Sequence, residues 1–207
     1  MAWIRWLIGE NQLVDARKAL AETAMANPTS TEPLLVSAAL DFNSGQLAGA
    51  RLTLRSLLRL DDQVTQAYQL AGQVEEASGN YGEAISFYRK VLTIDAINVF
   101  ALNNLAYVLS RDSKHLEEAL DMGRRAKEQA PESPEVLDTF GWLCYRKGEY
   151  DVAVKELEHA LAEAELPAIE FHLGMTYNRL GESEKGGRLI AAALAKDPKL
   201  VDSEALH

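Results

Sequence analysis

The stretch GQVEEASGNYGEAISFYRKVL, residues 72–92, sets a pattern that the chain repeats three more times. The matching stretches are AYVLSRDSKHLEEALDMGRRA at 106–126, GWLCYRKGEYDVAVKELEHAL at 141–161 and GMTYNRLGESEKGGRLIAAAL at 174–194. Their first residues are separated by 34, 35 and 33 positions. The same spacing continues upstream through Ala38 and Ile4. A period of this length is typical of a repeated pair of helices.

The residue types at equivalent positions agree with a helical hairpin. A small residue stands inside each first helix, where two helices that cross closely leave no room for a large side chain. A glycine ends most of the first helices, because it takes a left-handed cap conformation at little cost. The first set is Gly72, Ala106, Gly141 and Gly174; the second is Gly45, Gly79, Gly148 and Gly181. Ala84, Ala119 and Ala153 open the second helices.

These residues resemble the tetratricopeptide repeat over almost the full length of the chain. The resemblance implies an all-α, right-handed superhelical solenoid of antiparallel helix hairpins with about six repeats. We expect a single solenoid over residues 1–200, with a truncated repeat at 1–30 and complete repeats at 31–64, 65–98, 99–133, 134–166 and 167–200. Residues 201–207 are interpreted as the start of a cap or of a further repeat.

Two places depart from the family pattern. At Ser113–Lys114 the glycine is absent and one residue is inserted, and at Gly186–Gly187 the second helix carries glycine where alanine is usual. We expect both hairpins to be looser than the others.

Composition and motifs exclude several function classes. The formal net charge of −10 disfavours contact with nucleic acid phosphates, so no nucleic acid partner is expected. No phosphate-binding loop, dinucleotide fingerprint or hydrolase motif occurs, which predicts a protein that is not an enzyme and has no cofactor. The four histidines have no histidine one helical turn away, so no metal site is predicted. The single Cys144 is interpreted as a small buried hydrophobe.

The family resemblance also implies which residues line the concave groove. They are the residue after the small position of each first helix and those three and four further on. Among these, the predicted partner-binding residues are Tyr107, Arg111, Trp142, Tyr145, Arg146, Met175, Asn178 and Arg179. Because Arg111, Arg146 and Arg179 recur at one equivalent position beside aromatic rings, the groove is expected to favour an extended acidic segment. The alternative is that these arginines pair with carboxylates of neighbouring helices.

The leading hypothesis is therefore a protein-interaction scaffold that binds a peptide or a partner protein in the groove. The alternative is a structural or assembly module that self-associates through its ends or its convex face. Trp3 and Trp6, three apart on one helical face, favour such a contact, including a homodimer. A glycan in an aromatic groove is a third hypothesis. A clamp for a C-terminal carboxylate is disfavoured, because Asp138 stands where a neutral or basic residue would be needed.

Repeats four to six, with the strings ALNNLAYVLSRD and SPEVLDTFGWLCYRKGEY, resemble bacterial tetratricopeptide lipoproteins associated with exopolysaccharide or surface-protein export. This resemblance implies a bacterial origin, in the cytoplasm or the periplasm. The chain shows no signal peptide and no apolar stretch of membrane-spanning length. Because the first repeat begins partway through a helix, we expect a fragment of a longer protein.

Overall fold

The computed structural model describes residues 1–200, which form twelve α-helices, one short 3-10 helix and no strand. The helices are α1 Ala2–Gly9, α2 Leu13–Ala26, α3 Glu32–Asn43, α4 Leu47–Leu60, α5 Thr65–Ala77, α6 Tyr81–Ile94, α7 Val99–Ser110, α8 Leu116–Gln129, α9 Pro134–Lys147, α10 Tyr150–Glu163, α11 Pro167–Arg179 and α12 Ser183–Lys196. Each odd-numbered helix packs against the even-numbered helix that follows it. The predicted all-α architecture of helix hairpins is confirmed.

The contacts divide the chain into two compact units, Met1–Ile94 and a second unit that begins at Asp95. In the first unit α3 also contacts α5, and in the second α7 contacts α9 and α9 contacts α11. The first helices of consecutive hairpins are therefore neighbours throughout the second unit, and α3 and α5 are neighbours in the first. We call the first helix of each hairpin its A helix. The surface formed by the A helices α7, α9 and α11 is the A-helix face of the second unit.

Close helix crossings occur at the small residues that the repeat pattern singles out. A methyl group added to Gly72 would collide with the ring of Tyr88, and one added to Gly141 would lie 2.6 Å from Cγ of Leu157. Both added methyl groups would lie far inside van der Waals contact with these side chains. Only a residue without a side chain therefore allows the helices to approach this closely at these two positions. The prediction that these positions require small residues is confirmed.

Four glycines end the first helices of their hairpins with a positive φ, as predicted. The φ angles are +71° at Gly45, +76° at Gly79, +85° at Gly148 and +86° at Gly181. A side chain would be strained in this left-handed region. At Gly148 the amide donates to the carbonyl oxygen of Tyr145 at 2.9 Å, which satisfies one of the last carbonyls of α9.

The two departures from the family pattern have different outcomes. The insertion forms the 3-10 helix Ser113–His115, in which Oδ1 of Asp112 accepts from the amide of Lys114 at 3.0 Å. The looser packing expected at Gly186 is wrong. A methyl group there would collide with Oδ1 of Asn178 and with the carbonyl oxygen of Gly174, so two facing glycines bring α11 and α12 together. The family pattern has alanine at this position. In this chain the glycine leaves room for the backbone of Gly174.

A buried ion pair fixes α4 against α5 in the first unit. Arg51 donates to both carboxylate oxygens of Glu75, from Nε at 2.6 Å and from Nη2 at 2.7 Å. Asn80 adds a donor to the same carboxylate at 2.7 Å, and Glu75 is only 5% exposed. The pKa of Glu75 is held below its ordinary value, first by the hydrogen bond from Arg51. Arg51 therefore serves the packing of its own unit.

Candidate peptide-binding face of the second unit

The three recurring arginines all stand at the carboxyl ends of helices. Arg111 is the C-cap of α7, Arg146 is the penultimate residue of α9 and Arg179 is the last residue of α11. The last carbonyl groups of a helix carry partial negative charge, so a cation is favourable at each of these places. Stabilisation of a helix end therefore accounts for the recurrence of these arginines. Their recurrence alone does not indicate a binding role.

Aromatic rings from two consecutive hairpins form a cluster in the second unit. The ring of Trp142 stacks on Tyr145, with centroids 4.9 Å apart and planes at 11°, and on His172 of α11 at 4.5 Å and 22°. Tyr150 lies against Tyr145 at 5.6 Å. We call His172, Trp142, Tyr145 and Tyr150 the aromatic cluster. It joins α9, α10 and α11 within the second unit.

Trp142 and Tyr145 are placed differently from the open lining that the sequence predicts. Only 4% of Trp142 and 8% of Tyr145 is exposed. His172 of the next hairpin covers part of the Trp142 ring, so the two aromatic residues serve mainly as packing between repeats. A ligand on this surface would reach their edges rather than their faces.

His172 is held in the aromatic cluster by Asp138. Nδ1 of the imidazole lies 2.8 Å from Oδ1 of Asp138, and both side chains are largely buried. An ionised carboxylate can only accept, so Nδ1 carries the hydrogen and donates it. The carboxylate that was predicted to repel a ligand is thus engaged by the neighbouring repeat.

Arg179 is fixed on the preceding repeat by Tyr145. Its Nε donates to the tyrosine hydroxyl oxygen at 3.2 Å, and the guanidinium carbon lies 5.9 Å from the ring centroid. The pKa of Arg179 is raised, first by this hydrogen bond and then by the electrostatic attraction of Tyr145 and Tyr150. The positive charge is therefore held in a defined place at the end of α11.

Arg146 has a buried nitrogen that the described residues leave unsatisfied. Its Nη1 is inaccessible to solvent and makes no hydrogen bond with any other of residues 1–200. A buried donor without an acceptor costs about 1–3 kcal/mol. Arg146 lies one helical turn after Trp142 and next to Tyr145 in the sequence, so an acceptor brought to this place would meet the aromatic cluster as well.

Asn103 offers a complementary group on α7. Its Oδ1 is buried and finds no donor within the described part of the chain. Helices α9 and α7, which contact each other, therefore carry an unsatisfied donor at Arg146 and an unsatisfied acceptor at Asn103. An extended peptide presents both kinds of group along its backbone.

The remaining predicted residues divide into two kinds. Tyr107 and Met175 are half-buried at equivalent positions of α7 and α11, directly after Ala106 and Gly174. Asn178 is different, because its side-chain oxygen lies against Gly186 of α12. The residue is nevertheless exposed, so the prediction that Asn178 contacts a ligand stays a prediction.

Sequence reasoning missed the pairing of Asp138 with His172. The two residues are 34 positions apart, the length of one repeat, and this spacing between an acid and a histidine was a signal that could have found the contact. Asn103 is a second residue that the sequence does not single out. Nothing in the sequence indicated that its carbonyl oxygen is buried without a donor.

None of the helices within residues 1–200 has the length and apolar character needed to span a membrane. Many ion pairs within this part of the chain join side chains of different helices. One example joins Lys127 of α8 to Glu156 of α10 at 2.6 Å.

Comparisons with known proteins agree with the repeat pattern. The family profile described as tetratricopeptide repeat matches residues 65–98. A TPR repeat-containing protein of Pseudomonas aeruginosa is 33% identical over 86 residues, which are 42% of this chain and 15% of that protein. The chain spans between 15% and 37% of the lengths of the curated relatives it matches.

Solved structures share the fold at low sequence identity. YrrB, described as a TPR protein with an unusual peptide-binding site, is 22% identical, with a TM-score of 0.65 over 92% of this chain and 96% of the other. PilW, described as a type IV pilus biogenesis factor, is 13% identical, with a TM-score of 0.80 over 95% of this chain and 91% of the other. Together with the recurring small residues and glycine caps, these matches show that residues 65–98 match the tetratricopeptide repeat family and that the chain shares the fold of tetratricopeptide-repeat structures.

Proposed function

We propose that the A-helix face of the second unit binds an extended segment of a partner protein, with an acidic side chain of that segment at Arg146. Tetratricopeptide-repeat proteins generally mediate protein–protein interactions, and the fold is typically a non-catalytic scaffold. The proposal of an acidic side chain at Arg146 is supported by the buried Nη1 of this residue, which has no acceptor among residues 1–200. A carboxylate is the strongest neutral-pH acceptor that a peptide side chain can offer to a guanidinium group.

The ion-pair alternative is less well supported at two of the three arginines. Neither Arg146 nor Arg179 makes an ion pair with a carboxylate of the described residues, and Arg179 is engaged by a tyrosine hydroxyl. Neither charge is therefore neutralised by a carboxylate of residues 1–200. YrrB, a protein of the same fold, is described as having an unusual peptide-binding site, which is consistent with a peptide ligand on this fold.

The backbone of the partner segment is expected to use Asn103. An amide N–H of an extended peptide would donate to its buried Oδ1, while the acidic side chain reaches the guanidinium of Arg146. Satisfying both groups removes two desolvation costs that the unbound protein carries. Tyr107 and Met175 would then contact apolar parts of the same segment.

A peptide library tests this proposal without knowledge of the natural partner. Random peptides are selected on the immobilised chain and, in parallel, on a variant with Arg111→Glu, Arg146→Glu and Arg179→Glu whose helicity has been verified by circular dichroism. Peptides that the unmodified chain retains are expected to be enriched in Asp and Glu, and the variant is expected to lose them. Enrichment that is equal on both chains would refute an arginine-based site.

A second candidate function is self-assembly through the first helix. Trp3 is 62% exposed and Trp6 48% exposed, and their rings stack with centroids 4.6 Å apart. Two large exposed rings on one helix face are a feature of association surfaces. Light scattering over a range of concentrations tests this role: a mass that rises towards a dimer and falls back in Trp3→Ser, Trp6→Ser would support it, whereas a constant monomer mass would exclude it.

A further inference from the structure

Three potential metal ligands meet between the α8–α9 loop and α10. Nε2 of His159 lies 3.0 Å from Oε2 of Glu132, and Glu163 stands one helical turn after His159. One ligand atom from each of the three side chains lies within 4.8 Å of the other two. We propose that Glu132, His159 and Glu163 bind a divalent transition-metal cation of the Zn²⁺ class.

The donor set suits this class of cation. Zn²⁺ accepts both imidazole nitrogen and carboxylate oxygen at about 2.0–2.2 Å, and it binds three protein ligands with a water at the fourth position. Tetrahedral ligands at that distance are about 3.3–3.5 Å apart, so the three side chains need to close by little more than 1 Å. All three are exposed, which leaves them free to make that adjustment. Hard cations such as Ca²⁺ prefer all-oxygen sites, and the imidazole argues against them.

The local electrostatics favour a cation at the same place. Glu163 is the last residue of α10, where the partial negative charge of the helix end makes a lone carboxylate unfavourable. Glu132 brings a second carboxylate within the same small volume, and no Lys or Arg of the described residues pairs with either one. A bound cation would remove both the repulsion between the carboxylates and the conflict with the helix end.

Two other histidines of the described chain show what distinguishes this cluster. His115 lies 3.7 Å from the single carboxylate of Glu118, and His172 is buried against Asp138 and Trp142. Neither belongs to a group of three ligands that could surround an ion. His115 therefore provides a matched control, because it is also exposed and also lies near the carboxylate of one glutamate.

The experiment is a calorimetric titration of the full chain with ZnCl₂ at about pH 7.5, compared with His159→Gln, Glu163→Gln and His115→Gln. We expect one Zn²⁺ per chain, abolished in His159→Gln, weakened at least about tenfold in Glu163→Gln and unchanged in His115→Gln. At a Zn²⁺ concentration about 100-fold above the dissociation constant, the unfolding temperature should rise by about 5 °C or more.

Two further controls test for a competing ligand and for loss of helical structure. His207 lies outside the described residues and is replaced in His207→Gln to remove it as a competing ligand; the site proposed here predicts no effect. Circular dichroism verifies that each exposed-site variant keeps its helicity. No saturable binding up to millimolar Zn²⁺, binding that survives in His159→Gln, or binding that is lost in His207→Gln would each overturn the proposal.

Discussion

Two adjacent glycines of α12 have opposite roles, although the sequence presents them as one pair. Gly186 faces the backbone of α11 at Gly174 and the side chain of Asn178, whereas a methyl group at Gly187 would meet nothing within 4 Å. The first position therefore needs the absence of a side chain, and the second only carries the entropic cost of glycine in a helix.

This difference predicts opposite effects of the same substitution. Gly186→Ala should destabilise the protein by about 1–3 kcal/mol, because the helices must separate to admit the methyl group. Gly187→Ala should stabilise it by about 0.5–1 kcal/mol through the higher helix propensity of alanine. Urea unfolding followed by circular dichroism measures both. Changes of the same sign would show that the close contact at Gly186 is misplaced.

The buried pair of Arg51 and Glu75 predicts a pH-dependent contribution to stability. Because the folded-state pKa of Glu75 lies below its unfolded value, its stabilisation is complete above the unfolded pKa of about 4.3 and is lost as the pH falls through the folded value. Glu75→Gln should therefore cost about 1–3 kcal/mol near pH 7, and the gap from the unmodified chain should narrow below about pH 4.

Urea unfolding at several pH values tests this expectation, with Glu22→Gln as the control. Glu22 is exposed on α2 of the same unit and forms no ion pair within residues 1–200, so its replacement should change stability by no more than about 0.5 kcal/mol. A pH-independent gap for Glu75→Gln would contradict the role of the ionised carboxylate.

At the scale of helices, the aromatic cluster holds α9 and α11 together. Trp142 is buried between Tyr145 and His172, so Trp142→Ala should cost about 3–5 kcal/mol. Trp3→Ala is the matched control, because that ring is largely exposed on α1 and should contribute little. Chemical unfolding distinguishes the two cases: equal, small losses would mean that Trp142 is free to serve a ligand rather than the packing.

Helix α9 also buries the single cysteine of the chain. Burial raises the pKa of the Cys144 thiol to about 11, with smaller contributions from Glu149 and Glu156. The reactive thiolate is then scarce at about pH 8, and alkylation by iodoacetamide should be much slower in the folded protein than in urea. Intact-mass measurement over time tests this, and native labelling at the denatured rate would contradict the buried placement.

Much of each hairpin could be predicted because it depends on local chemistry. Gly148 ends α9 with a positive φ, and Gly141 lies at a helix crossing, as their repeat positions indicate. Which side chains remain accessible could not be predicted in the same way. The burial of Trp142 depends on His172 of the next repeat, and the direction of Asn178 depends on the missing side chain of Gly186. The repeat pattern predicts on which face of a helix a residue lies. Its exposure depends on the side chains of the neighbouring hairpin, which the pattern does not predict.

At the scale of the whole molecule, the net charge bears on the proposed binding of an acidic segment. A chain of formal charge −10 repels an approaching acidic peptide at long range, which slows association. Affinity must then come from short-range contacts at Arg146 and Arg179. Salt screens the long-range repulsion between exposed charges more than it weakens a contact at a buried nitrogen. The affinity for an acidic peptide should therefore fall little as salt is raised.

The most direct test is the dissociation constant of one library-selected acidic peptide for the unmodified chain, for Arg146→Gln and for Arg188→Gln. Arg188 is an exposed arginine of α12 that pairs with Glu184 at 3.4 Å, so its replacement removes the same charge away from the A-helix face. We predict that Arg146→Gln weakens binding by about 10- to 100-fold, as expected for the loss of a charge-assisted hydrogen bond, while Arg188→Gln leaves it unchanged. Equal affinities for the two variants would contradict the assignment of Arg146 as the anchor of the binding face.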